Sequence, residues 1–156
     1  MHANTVSAIA AFIAGAVVLA QPVQAQAISA CRLNVTPVRF GSYNPLSGSD
    51  LRANGAVSYN CNGLIPIRIT MNGGGGGSPL ARRMVQGATP LAYNLYLDAA
   101  LATIWGDRSA GTGIYSEAAA RVNVDIQIPV FGHIPPGQRQ VRPGTYFDTV
   151  VVSIEF

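Results

Sequence analysis

Few side chains in this 156-residue sequence can attack, shuttle a proton or hold a metal. Beyond residue 25 there is a single histidine, His133, in the run Gly132-His133-Ile134-Pro135-Pro136-Gly137. Glycine and proline on both sides predict a solvated turn there, and no Gly-x-Ser-x-Gly elbow offers a nucleophile for the histidine to activate. Asp107 and Glu117 could flank a glycosidic bond as acid and base, but a chain of this size always offers such a pair and nothing else supports it. Cys31, Cys61 and His133 lie too far apart in sequence to read as a zinc set. Gly73 to Gly77 lacks the Gly-Lys-Ser/Thr that completes a phosphate cradle, so it reads as a mobile hairpin loop. Trp105 and Tyr115 could stack on a sugar ring; a place in the core or at its rim is the expectation. The chain is therefore expected to be no enzyme, with no catalytic residue, no metal site and no cofactor.

The cysteines carry different information. An even count in an exported chain points to one Cys31–Cys61 disulfide, closing a loop of about 30 residues. A competing reading takes Ile28-Ser29-Ala30-Cys31 as a lipoprotein processing site. Such a site abuts the apolar run, whereas Gln21, Pro22, Gln24 and Gln26 intervene here, and lipidation would strand Cys61. Export itself is read from the leader. Val6 to Ala20 is almost wholly apolar, Pro22 breaks the run, and small residues then suit cleavage after Ala25 or Ala27. The run is too short for a hydrocarbon layer of about 30 Å. Residues 1–25 are thus expected to be a signal peptide and 26–156 one domain, long enough for a single core. All ten basic residues are Arg, and apart from Arg82-Arg83 they are scattered. A net charge of +3 spread in this way outlines no nucleic-acid footprint.

The elements that must position these residues alternate with period two. Cys31, Leu33 and Val35 share one face of a strand expected to run past Pro37 to Val38 and Phe40. Val57, Tyr59 and Cys61 share a face of a second. Ile65, Ile67, Ile69 and Met71 make a third, with Pro66 placing it at an edge or bulge. Leu91, Tyr93, Leu95 and Leu97 form a fourth, and Val122, Val124, Ile126, Ile128 and Val130 point inward from a fifth. Val150, Val152, Ile154 and Phe156 share a face of the sixth. Asp98 to Thr103 has room for one helical turn. Strands of this kind between Gly/Pro/Asn turns predict an all-β antiparallel sandwich. An immunoglobulin-like sandwich needs about seven strands, so six leave it incomplete, lacking its last strand, with unpaired backbone along an apolar slot.

Three stretches resemble the spore coat protein U family, which includes subunits of archaic chaperone–usher pili. They are Cys31 to Pro45, Ala92 to Ala100 followed by Ile104-Trp105-Gly106-Asp107, and Val130 to Pro135 followed by Pro143 to Val152. The resemblance implies an incomplete immunoglobulin-like fold, a periplasmic chaperone that lends a strand, an outer-membrane usher, other pilus subunits, and delivery through the periplasm to the cell surface. A host or abiotic surface would be what the filament meets. Val150, Val152, Ile154 and Phe156 are then expected to line the groove that a chaperone or donor strand fills. Only Ile28 is a large apolar residue between Ala25 and Cys31, so a poor strand donor, suited to a tip or terminal position, is expected. A secreted coat or matrix protein, or a carbohydrate-binding module using Trp105 and Tyr115, is the alternative.

Overall fold

The computed structural model describes residues 29–156. The expected signal peptide, both cleavage sites and Ile28 lie outside the described residues. Nine strands follow in order: β1 (Cys31–Thr36), β2 (Leu51–Cys61), β3 (Ile67–Met71), β4 (Arg83–Gln86), β5 (Thr89–Ala92), β6 (Asn94–Tyr96), β7 (Tyr115–Glu117), β8 (Ile126–Ile134) and β9 (Val152–Glu155). One sheet has the order β1-β2-β8-β6 and a second β7-β3-β9, while β4 and β5 form a hairpin. Every ladder between these strands is antiparallel. Alternation explains the core: Val57, Tyr59 and Cys61 from β2 and Ile128, Val130 and Ile134 from β8 are buried with Ile67, Ile69 and Met71 from β3. The all-β antiparallel sandwich is as expected.

Several local expectations change. The ladder of β1 stops at Thr36 because Pro37 has no N–H to donate, though Val38 and Phe40 still pack on the core. β3 starts just after Pro66 for the same reason and is the central strand of its sheet, not an edge. The fourth strand breaks at Tyr93: β5 pairs with β4, and β6 with β8. β4 and β7 went unread because neither is long enough to show a period. Val122 and Val124 are 44% and 40% exposed rather than inward. Asn123 has φ +55°, which bends the chain there, and its N–H donates to the Cys61 carbonyl at 2.8 Å. Asp98 to Thr103 is a turn and not helical: Leu101 has φ +59° and the Asp98 carboxylate accepts from the N–H groups of Ala102 and Thr103.

His133 is the clearest correction. It lies within β8, opposite Arg52 and Asn94, with Nε2 3.2 Å from Asp50 Oδ2. Gly132, which reads as a turn marker, is there because a Cβ would strike Val38 and Phe40 where they cover the sheet. The strand ends at Ile134, before Pro135.

Trp105 is fully buried and its Nε1 donates to the Ile69 carbonyl at 3.0 Å. The Tyr115 ring packs 6.5 Å from it and 6.1 Å from Tyr59. A ring with no exposed face cannot stack on a sugar, so a carbohydrate platform built on Trp105 is ruled out. Cys31 and Cys61 face each other across β1 and β2 and are bonded, with Cα atoms 4.1 Å apart. Ala30 C=O accepts from Asn62 N–H, so the next pair, Cys31 and Cys61, is a non-hydrogen-bonded one, where antiparallel strands come closest.

Burial pushes the phenol of Tyr59 up from its usual pKa, and does the same to Tyr93, where the neighbouring Asp148 adds to it. For an acid held neutral in the fold, stability is full below the unfolded pKa of about 10 and falls as pH rises beyond it. Two such groups should steepen the loss to as much as about 2.7 kcal/mol per pH unit. Denaturant midpoints measured across this range, with phenolate absorbance, should show both phenols ionising only on unfolding. Ionisation of all tyrosines at constant midpoint would contradict their burial.

Candidate functional site: an apolar cleft between two open strand edges

The last strand leaves one side unpaired. β9 sits at the edge of its sheet, bonded only to β3. Asn72 N–H donates to the Val151 carbonyl, and Val151 N–H to the Asn72 side chain, so Val151 faces β3. Alternation along an antiparallel pair then turns Ser153 and Glu155 toward β3, and the backbone groups of Val150, Val152 and Ile154 to the free side. The same reasoning applies at the other sheet. The Ala30–Asn62 bond sets the phase of β1, leaving the backbone of Leu33 and Val35 on its free edge.

Beside these edges lies a cleft of about 930 Å³. Its lining includes residues 35–43 on one side and 141–150 with Val152 on the other, over Met71, Leu91, Tyr93, Leu95, Val130 and Ile134. Val35 is 51% exposed and Phe147 67%, so the lining keeps apolar surface open to solvent. Of the four groove residues expected from sequence, Val150 and Val152 line this cleft. Ile154 packs half-buried against the core, and Phe156 is exposed in a separate shallow depression with Pro66, Arg68 and Arg108. The second wall escaped the sequence reading, since 141–149 has no alternating pattern.

Polar groups fix both walls and the chain between them. Tyr43 Oη donates to the Pro135 carbonyl and accepts from Gln138 N–H, both at 3.0 Å. The Gln138 amide bonds both backbone groups of Ala92. Phe147 pairs with Val85 through its N–H and C=O. Asp148 is tied most tightly: its carboxylate accepts from Tyr93 Oη at 2.7 Å, Gly75 N–H at 2.8 Å and Thr149 N–H at 2.8 Å.

The glycine run is therefore no mobile loop. Gly74–Gly76 forms a single 3₁₀ turn wrapped on Asp148, with Asn72 Oδ1 accepting from Gly74 N–H. A Cβ at Gly74 would strike the Asp148 carboxylate, and one at Gly76 the Ala81 carbonyl. At Gly75 the nearest atom, Asp148 Oδ1, is 3.2 Å away. Gly76→Ala should thus cost about 1–3 kcal/mol, since backbone must move, and Gly75→Ala less than about 1 kcal/mol. Urea unfolding of the two variants checks this; equal losses would mean that the close approach at Gly76 relaxes freely.

Beneath the loop, Arg82 is 1% exposed. Its guanidinium donates to the carbonyls of Asn72 and Trp105 and to Asn94 Oδ1, at 2.8–3.0 Å. Burial pushes its pKa down from the ordinary guanidinium value. In the sequence it looked like one half of an unremarkable Arg-Arg pair.

Asp107 accepts from the N–H and hydroxyl of Ser109, and these bonds hold its carboxyl below the usual carboxylate range, the wrong direction for a general acid.

Among known proteins, the sequence profile of the Spore Coat Protein U domain matches residues 17–153. "Protein U" of Myxococcus xanthus is 36% identical over an alignment 132 residues long, which covers 76% of this chain and 71% of that protein. The fold superposes with a TM-score of 0.56, at 25% identity, on a chain in the crystal structure of the CsuC–CsuE chaperone–tip adhesion subunit pre-assembly complex from archaic chaperone-usher Csu pili of Acinetobacter baumannii. That match covers 83% of this chain and 40% of the solved one, so the chain spans less than half the length of that neighbour.

Proposed function

We infer that this chain, which belongs to the Spore Coat Protein U domain family, is a structural subunit of a surface pilus completed by a strand lent from another chain. The observation that carries this reading is the apolar cleft beside two strands, β1 and β9, each open on one edge. An inserted strand would satisfy the free backbone groups of Val150 and Val152 and bury apolar side chains in the cleft, which is β-augmentation. Four or five such side chains, each worth roughly 1.5–3 kcal/mol, supply on the order of 10 kcal/mol, comparable with the stability of a small domain. A periplasmic chaperone would lend the first strand and a neighbouring subunit the second, with an outer-membrane usher between them. If processing follows Ala25, Ile28 is the one large apolar residue ahead of Cys31, and a terminal place in the filament follows.

A photo-crosslinker at Val150, which also lines the cleft, in cells expressing the chaperone and usher of the same system, tests this. It should trap the chaperone first and a second subunit later, and Val152→Asp should abolish both adducts because a charge cannot enter the cleft unpaired. Normal secretion of Val152→Asp with no adduct at either stage would refute strand insertion. A coat or matrix protein that needs no usher is the second reading, favoured by the match to the Spore Coat Protein U domain. Undiminished surface delivery in cells lacking the usher would select it.

A further inference from the structure

The cleft carries charge that no ion pair among the described residues answers. Arg39 and Arg142 both line it, one from each lining segment, and both are exposed. Among the described residues the ion pairs are Arg52–Asp50 and His133–Asp50, so neither lining arginine is paired there. Asp148, the acidic residue of the lining, has its carboxylate taken up by Tyr93, Gly75 and Thr149. The two arginines are also held by their backbones. Arg39 stands between Val38 and Phe40, which pack on the core. Arg142 has its N–H and C=O bonded to the Tyr146 hydroxyl at 2.9 and 3.0 Å.

Resting on the strand-acceptor reading, we propose that the cleft selects a partner strand that is apolar at alternate positions and carries a carboxylate, recognised by Arg39 and Arg142. Apolar side chains fill the floor; the acid meets the guanidinium groups at the solvent boundary. Residues 1–30 of this chain contain no Asp or Glu, so that part of the chain is not the preferred occupant, and the donor is a segment of a different protein. A rim charge of this kind acts mostly on association rate and on the choice between partners.

The test uses the purified protein and fluorescent peptides of about twelve residues, the length of a long strand. They alternate Val and Thr, with one Glu scanned through the Thr positions and matched Gln peptides beside them. At low salt the best Glu peptide should bind about three- to tenfold more tightly than its Gln partner, the range two exposed ion pairs allow, and the gap should shrink as salt rises. Arg39→Gln/Arg142→Gln should erase the preference, bringing the Glu-to-Gln affinity ratio to about one at every salt concentration. A peptide of residues 17–30 should bind no better than the Gln peptides. Equal binding of Glu and Gln peptides at every position overturns the carboxylate preference alone, as does a 17–30 peptide that matches the best Glu peptide. Failure of every peptide to bind overturns the strand-acceptor reading and this proposal with it.

Discussion

Arg82→Met should lower the stability of the domain by about 3 kcal/mol or more, a large share of the 5–15 kcal/mol typical of a folded domain. Methionine replaces the aliphatic stem but none of the donors. The Trp105 carbonyl would then stay buried without a partner, the Asn72 carbonyl would lose both guanidinium bonds, and Asn94 Oδ1 would keep only the Leu95 N–H. An unmet buried acceptor costs about 1–3 kcal/mol and a lost bond to a charged group about 1.5–3 kcal/mol. Relief of the guanidinium's own desolvation offsets part of that. Arg82→Lys should recover less than half, because an ammonium cannot reach three acceptors spread across a planar fork. Equilibrium unfolding in urea, followed by the fluorescence of Trp105, reads the effect. A lysine variant within about 1 kcal/mol of the parent would show that charge alone, and not the fork, is what the site requires.

The second large effect is expected from the disulfide. Replacing Cys31 and Cys61 together with Ala removes a cross-link of separation 30 and should cost about 3–4 kcal/mol on the chain-entropy model. The loss should also be uneven. β1 bonds to β2 alone, and the cross-link sits at its first residue. Without it, β1 should fray and take Val35, part of the cleft lining, with it. Hydrogen exchange should show the amides of Asn34 and Thr36, which face β2, losing more protection than those in the β2–β8 ladder. Uniform loss across both ladders would mean that the bond stabilises the domain as a whole and does nothing particular for the cleft.

What the sequence determined by itself is what local periodicity can encode. Alternating apolar residues set the inward face of Val57-Tyr59-Cys61, of Ile67-Ile69-Met71 and of Ile128-Val130, because side chains on a strand point alternately to two faces wherever the strand lies. The cysteine count set the disulfide, and the missing nucleophile and metal ligands set the expectation of a structural role. Tertiary structure decided the rest, where a residue's state depends on a distant partner. Gly73 to Gly77 is mobile by composition, yet ordered by a carboxylate 73 residues away. Arg82 is a surface residue by type, yet buried because three acceptors from separate segments converge on it. His133 reads as part of a turn from its neighbours, yet belongs to a strand because Gly132 admits Val38 and Phe40 against the sheet. The cleft is of the same kind: its lining segments come from opposite ends of the domain, and no window of sequence contains both. Periodicity is a short-range property of the chain, whereas the pairing of polar groups and the meeting of edges depend on the path of the whole backbone.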